Sequence, residues 1–264
     1  MTLTAEGSVT VEKRGHVLLI GLDRTKKMNA FDKKMYRDLA AAYGELQDDD
    51  DIRCGVLFGN GDHFTGGLDL PEWTEEFASE RFAQVPEGGY DPLGIEGTRI
   101  NKPLVMAVQG WCMTIGIELL LACDIRVAAS NTKFAQIEIK RGIYPVGGAT
   151  VRLPAEIGWG NAMRYLLTGD TFTAEDAYRM GLVQEITEPG QQLDRAVEIA
   201  ETIAKQAPLG VYATLNSSRL ARDAGLQTAF NVLMRDLQPL LQSEDVEEGV
   251  QSFIERREAN FKGK

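Results

Sequence analysis

The chain has two histidines, His16 and His63, and three cysteines, Cys54, Cys112 and Cys123, among 264 residues. With so few imidazoles a Ser–His–Asp arrangement would have to recruit one of the two, and no serine stands in a GxSxG elbow, which argues against a hydrolytic triad. The cysteines are an odd set without zinc-like spacing. Each lies among apolar neighbours, where a free thiol behaves as a small hydrophobe, and no metal site is expected. Neither GxGxxG nor GxxxxGK[ST] occurs, which disfavours the nucleotide-binding readings that depend on those loops. Basic residues are also scarce: 28 Lys and Arg against 39 Asp and Glu leave a formal charge of −11. No segment supplies the dense cationic face that phosphate neutralisation on a nucleic acid requires. No window holds the ~18 or more apolar residues of a membrane span, and MTLTAEGSVTVEKRG has no basic region leading into an apolar stretch. The expectation is a reducing cytoplasm, with neither nucleic acid nor membrane as partner.

What is present is an ordinary globular composition, 44% hydrophobic and 25% charged. Ser8 to Glu12 and His16 to Leu22 alternate around Lys13-Arg14-Gly15, which predicts a hairpin. Asp32 to Leu46 sets Met35, Leu39, Tyr43 and Leu46 at helical spacing, and the acidic run Asp48 to Asp51 reads as a solvated turn. Gly55 to Phe58, Asn101 to Gln109 and Ile125 to Ala129 are apolar strand patterns separated by helical segments. Such alternation implies an α/β fold with crossover connections and a site where strand C-termini open onto loops. Glu72 to Gly97 mixes Trp73, Phe77, Phe82 and Tyr90 with acids, glycines and prolines, an irregular excursion that either covers a ligand or is a surface insertion. From Gln192 the pattern is helical, broken at Ala207-Pro208-Leu209-Gly210 and at Gln238-Pro239. The chain is therefore expected to divide into a core, residues 1–191, and a helical region, 192–264.

Glu118 is the strongest chemical anomaly, an acid inside the apolar run IGIELLLACDI. Ionised carboxylates are rarely buried without a task or a partner, although a first-turn glutamate is also favoured by the helix dipole. Glu138, in KFAQIEIKRGIYPVGG, either shares a strand face with Phe134 and Gln136 or pairs with Lys140 or Arg141. Gly66-Gly67-Leu68 and Gly116 stand in loops after strands, where exposed backbone N–H groups can hold an anion or a developing oxyanion. His63, beside the first loop, reads as a hydrogen-bonded loop residue.

DHFTGGLDL, followed by KPLVMAVQGWCMTIGIELLLACDIRVAASNTKFAQIEIKRGIYPVGGATVRLP and AMRYLLTGDTFTAEDAYRMGLVQEI, resembles the signature of the crotonase (enoyl-CoA hydratase/isomerase) superfamily. The resemblance spans about Val9 to Ile186, and SFIERREANF is similar to the family's C-terminal layer. It implies a spiral of ββα turns with C-terminal helices that build homotrimers or dimers of trimers. It also implies an acyl-CoA thioester as substrate, with coenzyme A a part of that substrate and no separate cofactor. On the family pattern, the thioester oxygen is held by the N–H groups of Leu68 and Ile115. Glu118 and Glu138, 20 positions apart, hold the water, with Glu138 as principal acid/base and Glu118 as the partner that orients it.

Lys26 and Lys27 resemble the basic residues near the CoA phosphates, or are solvated turn lysines. Gly66, Gly67, Asp69 and Gly116 belong to the matched loops, and Trp73, Phe77 and Trp111 are candidates for lining the substrate pocket. The sequence departs from the family in three places. Met113-Thr114-Ile115-Gly116 keeps one glycine of a glycine-rich stretch, Pro71 stands where a lysine is often found, and Val146 replaces the acid of the dienoyl-CoA isomerase branch. The implied activity is that of an enoyl-CoA hydratase, a hydro-lyase, with a 3,2-enoyl-CoA isomerase or a non-catalytic acyl-CoA binder as alternatives.

Overall fold

The computed structural model describes residues 6–78 and 85–264; Phe82, one of the aromatics of the expected excursion, lies outside them. The predicted hairpin forms β1 (Ser8–Arg14) and β2 (Val17–Asp23), antiparallel from Arg14↔Val17 to Ser8↔Asp23. The helix α1 (Lys33–Asp48) follows, one residue later than its pattern suggested. Asp32 is its N-cap, with a carboxylate that accepts from the Met35 N–H at 2.7 Å. Next come β3 (Cys54–Gly59), α2 (Leu70–Ala78), β4 (Leu104–Val108), β5 (Trp111–Met113) and α3 (Ile115–Ala122). Then follow β6 (Ile125–Ala129), β7 (Lys133–Ala135), α4 (Ala149–Ile157), α5 (Trp159–Leu166), β8 (Phe172–Thr173), α6 (Ala174–Met180) and β9 (Glu185–Thr187). The chain ends in α7 (Gln192–Ala204), α8 (Pro208–Ala224), α9 (Leu226–Phe230), α10 (Leu233–Leu237) and α11 (Glu244–Glu255).

Six strands form one sheet in the order β1-β2-β3-β4-β6-β9, parallel from β2 onward. Parallel strands covered on both faces are apolar on both, which is why VLLIGLD and CGVLFG read as continuous runs. Val17, Leu19, Cys54, Val56, Val105, Ala107 and Val127 project to one face and meet Ala196, Val197, Ala200 and Ala204 of α7. Leu18, Ile20, Leu22, Leu57 and Met106 project to the other, into the larger core with Met35 and Leu39 of α1. A second sheet, β5-β7-β8, stands beside the first, and Phe134 stacks on Phe172 across it at 5.2 Å.

The excursion expected over Glu72 to Gly97 begins as a helix. Trp73 and Phe77 fall at i, i+4 on α2, and Pro71 is tolerated because the first turn has no donor to lose. Trp73 is fully buried and its Nε1–H donates to the Phe31 carbonyl at 2.9 Å, with Tyr36 edge-on at 5.6 Å. Trp73→Phe is expected to cost about 2 kcal/mol in urea unfolding, because it leaves a void and removes one of the two hydrogen bonds to the Phe31 carbonyl.

The three thiols are all buried in these cores. Burial pushes all three up, Cys123 to about 12 and Cys54 and Cys112 well above their ordinary range. Among the described residues no helix is long and apolar enough to cross a membrane.

Candidate active site

The site begins with a loop after β3. The Phe64 N–H donates to Gln109 O at 2.9 Å and the Thr65 N–H to Trp111 O at 3.0 Å, lacing the loop to the start of β5. Further on, the Gly66 N–H is taken by Met28 O (2.7 Å), Gly67 N–H by Thr65 Oγ1 (3.1 Å) and Asp69 N–H by Phe31 O (2.9 Å). Between them the Leu68 N–H finds no acceptor among the described residues. Gly67 has φ +105°, and a Cβ there would stand 2.5 Å from Thr114 Oγ1, so the position admits glycine alone.

Thr114 joins β5 to α3. Its N–H donates to Ala135 O at 2.9 Å, and its carbonyl accepts from Ile117 and Glu118. At φ 48°, ψ −111° it holds a conformation that glycine adopts freely and a β-branched residue only under strain. The Ile115 N–H, at the first helical position, has no acceptor among the described residues, as expected of an open helix start. Two unfilled backbone donors therefore stand on two loops that touch through Gly67 and Thr114.

Both donors border a cavity of about 220 Å³ whose walls also carry Glu118 and Glu138. Apolar side chains complete it, chiefly Leu70, Phe77, Ile137, Ile143 and Val146. Glu118, 3% exposed, lies in the first turn of α3, so the dipole position and the cavity position are the same one. Its Oε1 accepts from the Ala149 N–H at 3.3 Å. Burial pushes its carboxyl up, the charge of Glu138 adds to this, and the N–H groups of Ala149 and Gly147 oppose it, leaving about 7.

Glu138 neither lies on a strand nor pairs with a neighbouring cation. β7 stops at Ala135, and Glu138 opens a 3₁₀ turn, Glu138–Arg141, closed by Gly142 at φ 78°. Lys140 leans toward Asp170 at 3.9 Å instead, and Arg141 forms no ion pair among the described residues. One carboxylate oxygen of Glu138 is buried without a hydrogen-bond partner. Burial, opposed by its own backbone N–H, lifts this carboxyl to about 7 as well. Both acids are thus lifted to the same range beside one cavity. Near neutrality they can offer one carboxylate and one carboxylic acid, the complement needed for base and acid work in one site.

The remaining sequence candidates are distributed differently. Gly66 lines the cavity, and Gly116 lets the two loops close, since a Cβ there would meet Thr65 at 2.7 Å and Cys112 at 3.0 Å. Asp69 lies behind the wall, where it accepts from Arg24 and Lys27 at 2.9 Å each. Burial acts to raise the Asp69 carboxyl, but these two hydrogen bonds and charges hold it below its ordinary value. Lys27 is thus engaged with the loop, and Lys26 is exposed. Trp73 is core, and Trp111 sits outside the cavity, in a separate polar hollow with His63 and with Lys133 at 5.7 Å over its ring. His63 Nδ1 accepts from the Trp111 N–H at 3.2 Å, the ordinary hydrogen bond expected of it. Sequence reasoning missed Gly147, whose missing side chain makes room for Glu118: a Cβ there would stand 2.2 Å from Oε2. The adjacent pair Gly147-Gly148 before α4 was its only signal.

Residues 12–264 match the family model described as Enoyl-CoA hydratase/isomerase. The chain belongs to that family. This enoyl-CoA hydratase/isomerase family member is 36% identical to Enoyl-CoA hydratase EchA19 of Mycobacterium tuberculosis, with 100% of this chain and 99% of the relative aligned. It is 35% identical to the (E)-benzylidenesuccinyl-CoA hydratase of Thauera aromatica over 97% and 99%. Among solved structures, a probable enoyl-CoA hydratase/isomerase from Mycobacterium abscessus superposes with a TM-score of 0.94 at 49% identity, covering 97% and 99%. The family member has the α/β crotonase-like fold that its motifs implied.

Proposed function

We propose that this family member is an enoyl-CoA hydratase that adds water across the 2,3-double bond of a trans-2-enoyl-CoA to give the 3-hydroxyacyl-CoA. The observation that carries the reading is the presence of both Glu118 and Glu138 on one cavity with the free N–H groups of Leu68 and Ile115. As water oxygen bonds to C3, electron density moves to the thioester oxygen. Two fixed N–H dipoles stabilise that oxyanion more than the ground-state carbonyl. Glu138, as carboxylate, takes a proton from the water while Glu118 orients it. When the enolate collapses, C2 receives a proton from the pair, so OH and H of one water molecule end on C3 and C2. Coenzyme A takes part only as the handle of the substrate. The names of the relatives above, each a hydratase, support this reading.

Hydration removes the conjugated enoyl thioester absorbance, so purified protein with short-, medium- and long-chain 2-enoyl-CoA tests the proposal directly. Absence of turnover on all three would refute it. Gly147→Ala offers a second check: the added methyl must displace the Glu118 carboxylate, and kcat is expected to fall between about 10- and 100-fold while KM moves little. Equal changes in kcat and KM would place the damage elsewhere.

Assembly into a homotrimer or dimer of trimers belongs to the same proposal. Support comes from large side chains left uncovered on the C-terminal helices, Phe253 at 85%, Met234 at 68% and Ile254 at 67% exposure.

A further inference from the structure

Arg141 is the one cation among the described residues that line the cavity. It stands three positions after Glu138 in a 3₁₀ turn, where residues i and i+3 eclipse, so the two side chains rise from the same side of the turn. Yet they form no ion pair, and no other carboxylate lies within 4.0 Å of the guanidinium among the described residues. Among the described residues its one hydrogen bond is Nη1 donating to the Lys140 carbonyl at 3.4 Å. Most N–H donors of this rigid fork thus have no acceptor among the described residues and face solvent at the rim of a cavity walled by Ile137, Ile143 and Val146.

A plain aliphatic tail would fill the apolar walls and leave the guanidinium unanswered. An acyl chain that ends in a carboxylate would do both, because the two carboxylate oxygens match the guanidinium fork. The chain as a whole carries a formal charge of −11, so a lone unpaired arginine at this cavity runs against the general field that an anionic tail would meet. At ~30 Å³ for a water-sized group, 220 Å³ holds about seven such groups, which suits a short acyl chain.

From this arrangement we infer that Arg141 is a specificity-determining residue, and that the substrate class is short 2-enoyl-CoA thioesters bearing a carboxylate at the far end of the acyl chain. The inference rests on the hydratase reading for its reaction, but its recognition step is separable from turnover. The test compares trans-2-hexenedioyl-CoA with trans-2-hexenoyl-CoA, two esters of equal length that differ in the terminal carboxylate. Wild type is expected to favour the diacid ester by about 10-fold or more in kcat/KM. Arg141→Gln should collapse that ratio by about 10- to 100-fold, and Arg141→Lys should keep part of it. Because Arg141 is exposed, added salt should also shrink the preference. A wild-type ratio at or below one overturns the inference. So does an Arg141→Gln variant that loses both esters alike, since the arginine would then serve coenzyme A or the fold. Calorimetric binding of adipoyl-CoA and hexanoyl-CoA separates the two readings. If neither enoyl ester is turned over but adipoyl-CoA binds about 10-fold tighter through Arg141, the hydratase reading falls and the recognition stands. Equal binding of the two saturated esters sinks the recognition whatever the turnover.

Discussion

Glu138→Gln is expected to lower kcat for 2-enoyl-CoA hydration about 100-fold or more, the size typical of removing a positioned acid or base. Glu118→Gln should fall by a comparable factor. The double substitution should cost little more than either single one, because the two carboxyls act on one water and one shared proton. With both groups at about 7, wild-type activity should peak near neutrality. Below the peak both carboxyls are protonated and no base remains; above it both are ionised and no acid remains. A pH–rate profile flat from 5 to 9, or a double variant slower than wild type by the product of the two single factors, would show that the two do not work as a pair. Glu138→Gln should also lower the Glu118 carboxyl, since it removes the neighbouring charge that adds to the effect of burial.

The same burial has a cost in stability. Burial and the charge of Glu138 lift the Glu118 carboxyl from 4.5 to about 7, so between those values the folded chain keeps a proton that the unfolded chain has lost. Below 4.5 both states are protonated and the acid costs nothing. As pH rises toward 7 the wild type loses stability, and above 7 it bears the full penalty, about 3 kcal/mol. Glu118→Gln cannot ionise, so denaturant unfolding should find it more stable than wild type by about that amount at pH 8 and nearly equal to it at pH 4.5. A variant equally shifted at both pH values, or less stable at pH 8, would contradict the cause assigned to the raised carboxyl. The combination of slower turnover and a firmer fold is the exchange expected where a charge is held in an apolar wall for use.

Legibility in the sequence followed the length of each element. β3, β4 and β6 were readable because strands covered on both faces need several apolar residues in a row, and the spacing of Met35, Leu39 and Tyr43 likewise announced α1. β5, β7 and β8 have two or three residues each, too few for any period to emerge. α2 was hidden by its proline and by the glycines after it, although Trp73 and Phe77 already stood one helical turn apart. Glu118 was legible as an acid in an apolar run. Glu138 was not, because its local sequence IEIKRG offers Lys140 and Arg141 as ordinary ion-pair partners, and only the folded chain shows that neither pairs with its carboxylate. Thr114 was equally obscure: the resemblance directed attention to Ile115, whereas the backbone strain falls one residue earlier, at the left-handed position that joins β5 to α3. Contacts such as Gly147 against Glu118 join residues 29 positions apart and exist only once α3 and α4 are packed.

The sealed thiols have a practical corollary. Thiolate is the reactive form of cysteine, and Cys54, Cys112 and Cys123 are both buried and held far from ionising at neutral pH. The native chain is therefore expected to be silent toward maleimides without any cysteine having been removed. A single cysteine introduced at Val151, 76% exposed on α4 three positions after Gly148, would carry the only label. A fluorophore there would report from the helix that begins with the N–H bonded to Glu118, so docking of an acyl-CoA could be followed by emission under conditions where no reaction takes place.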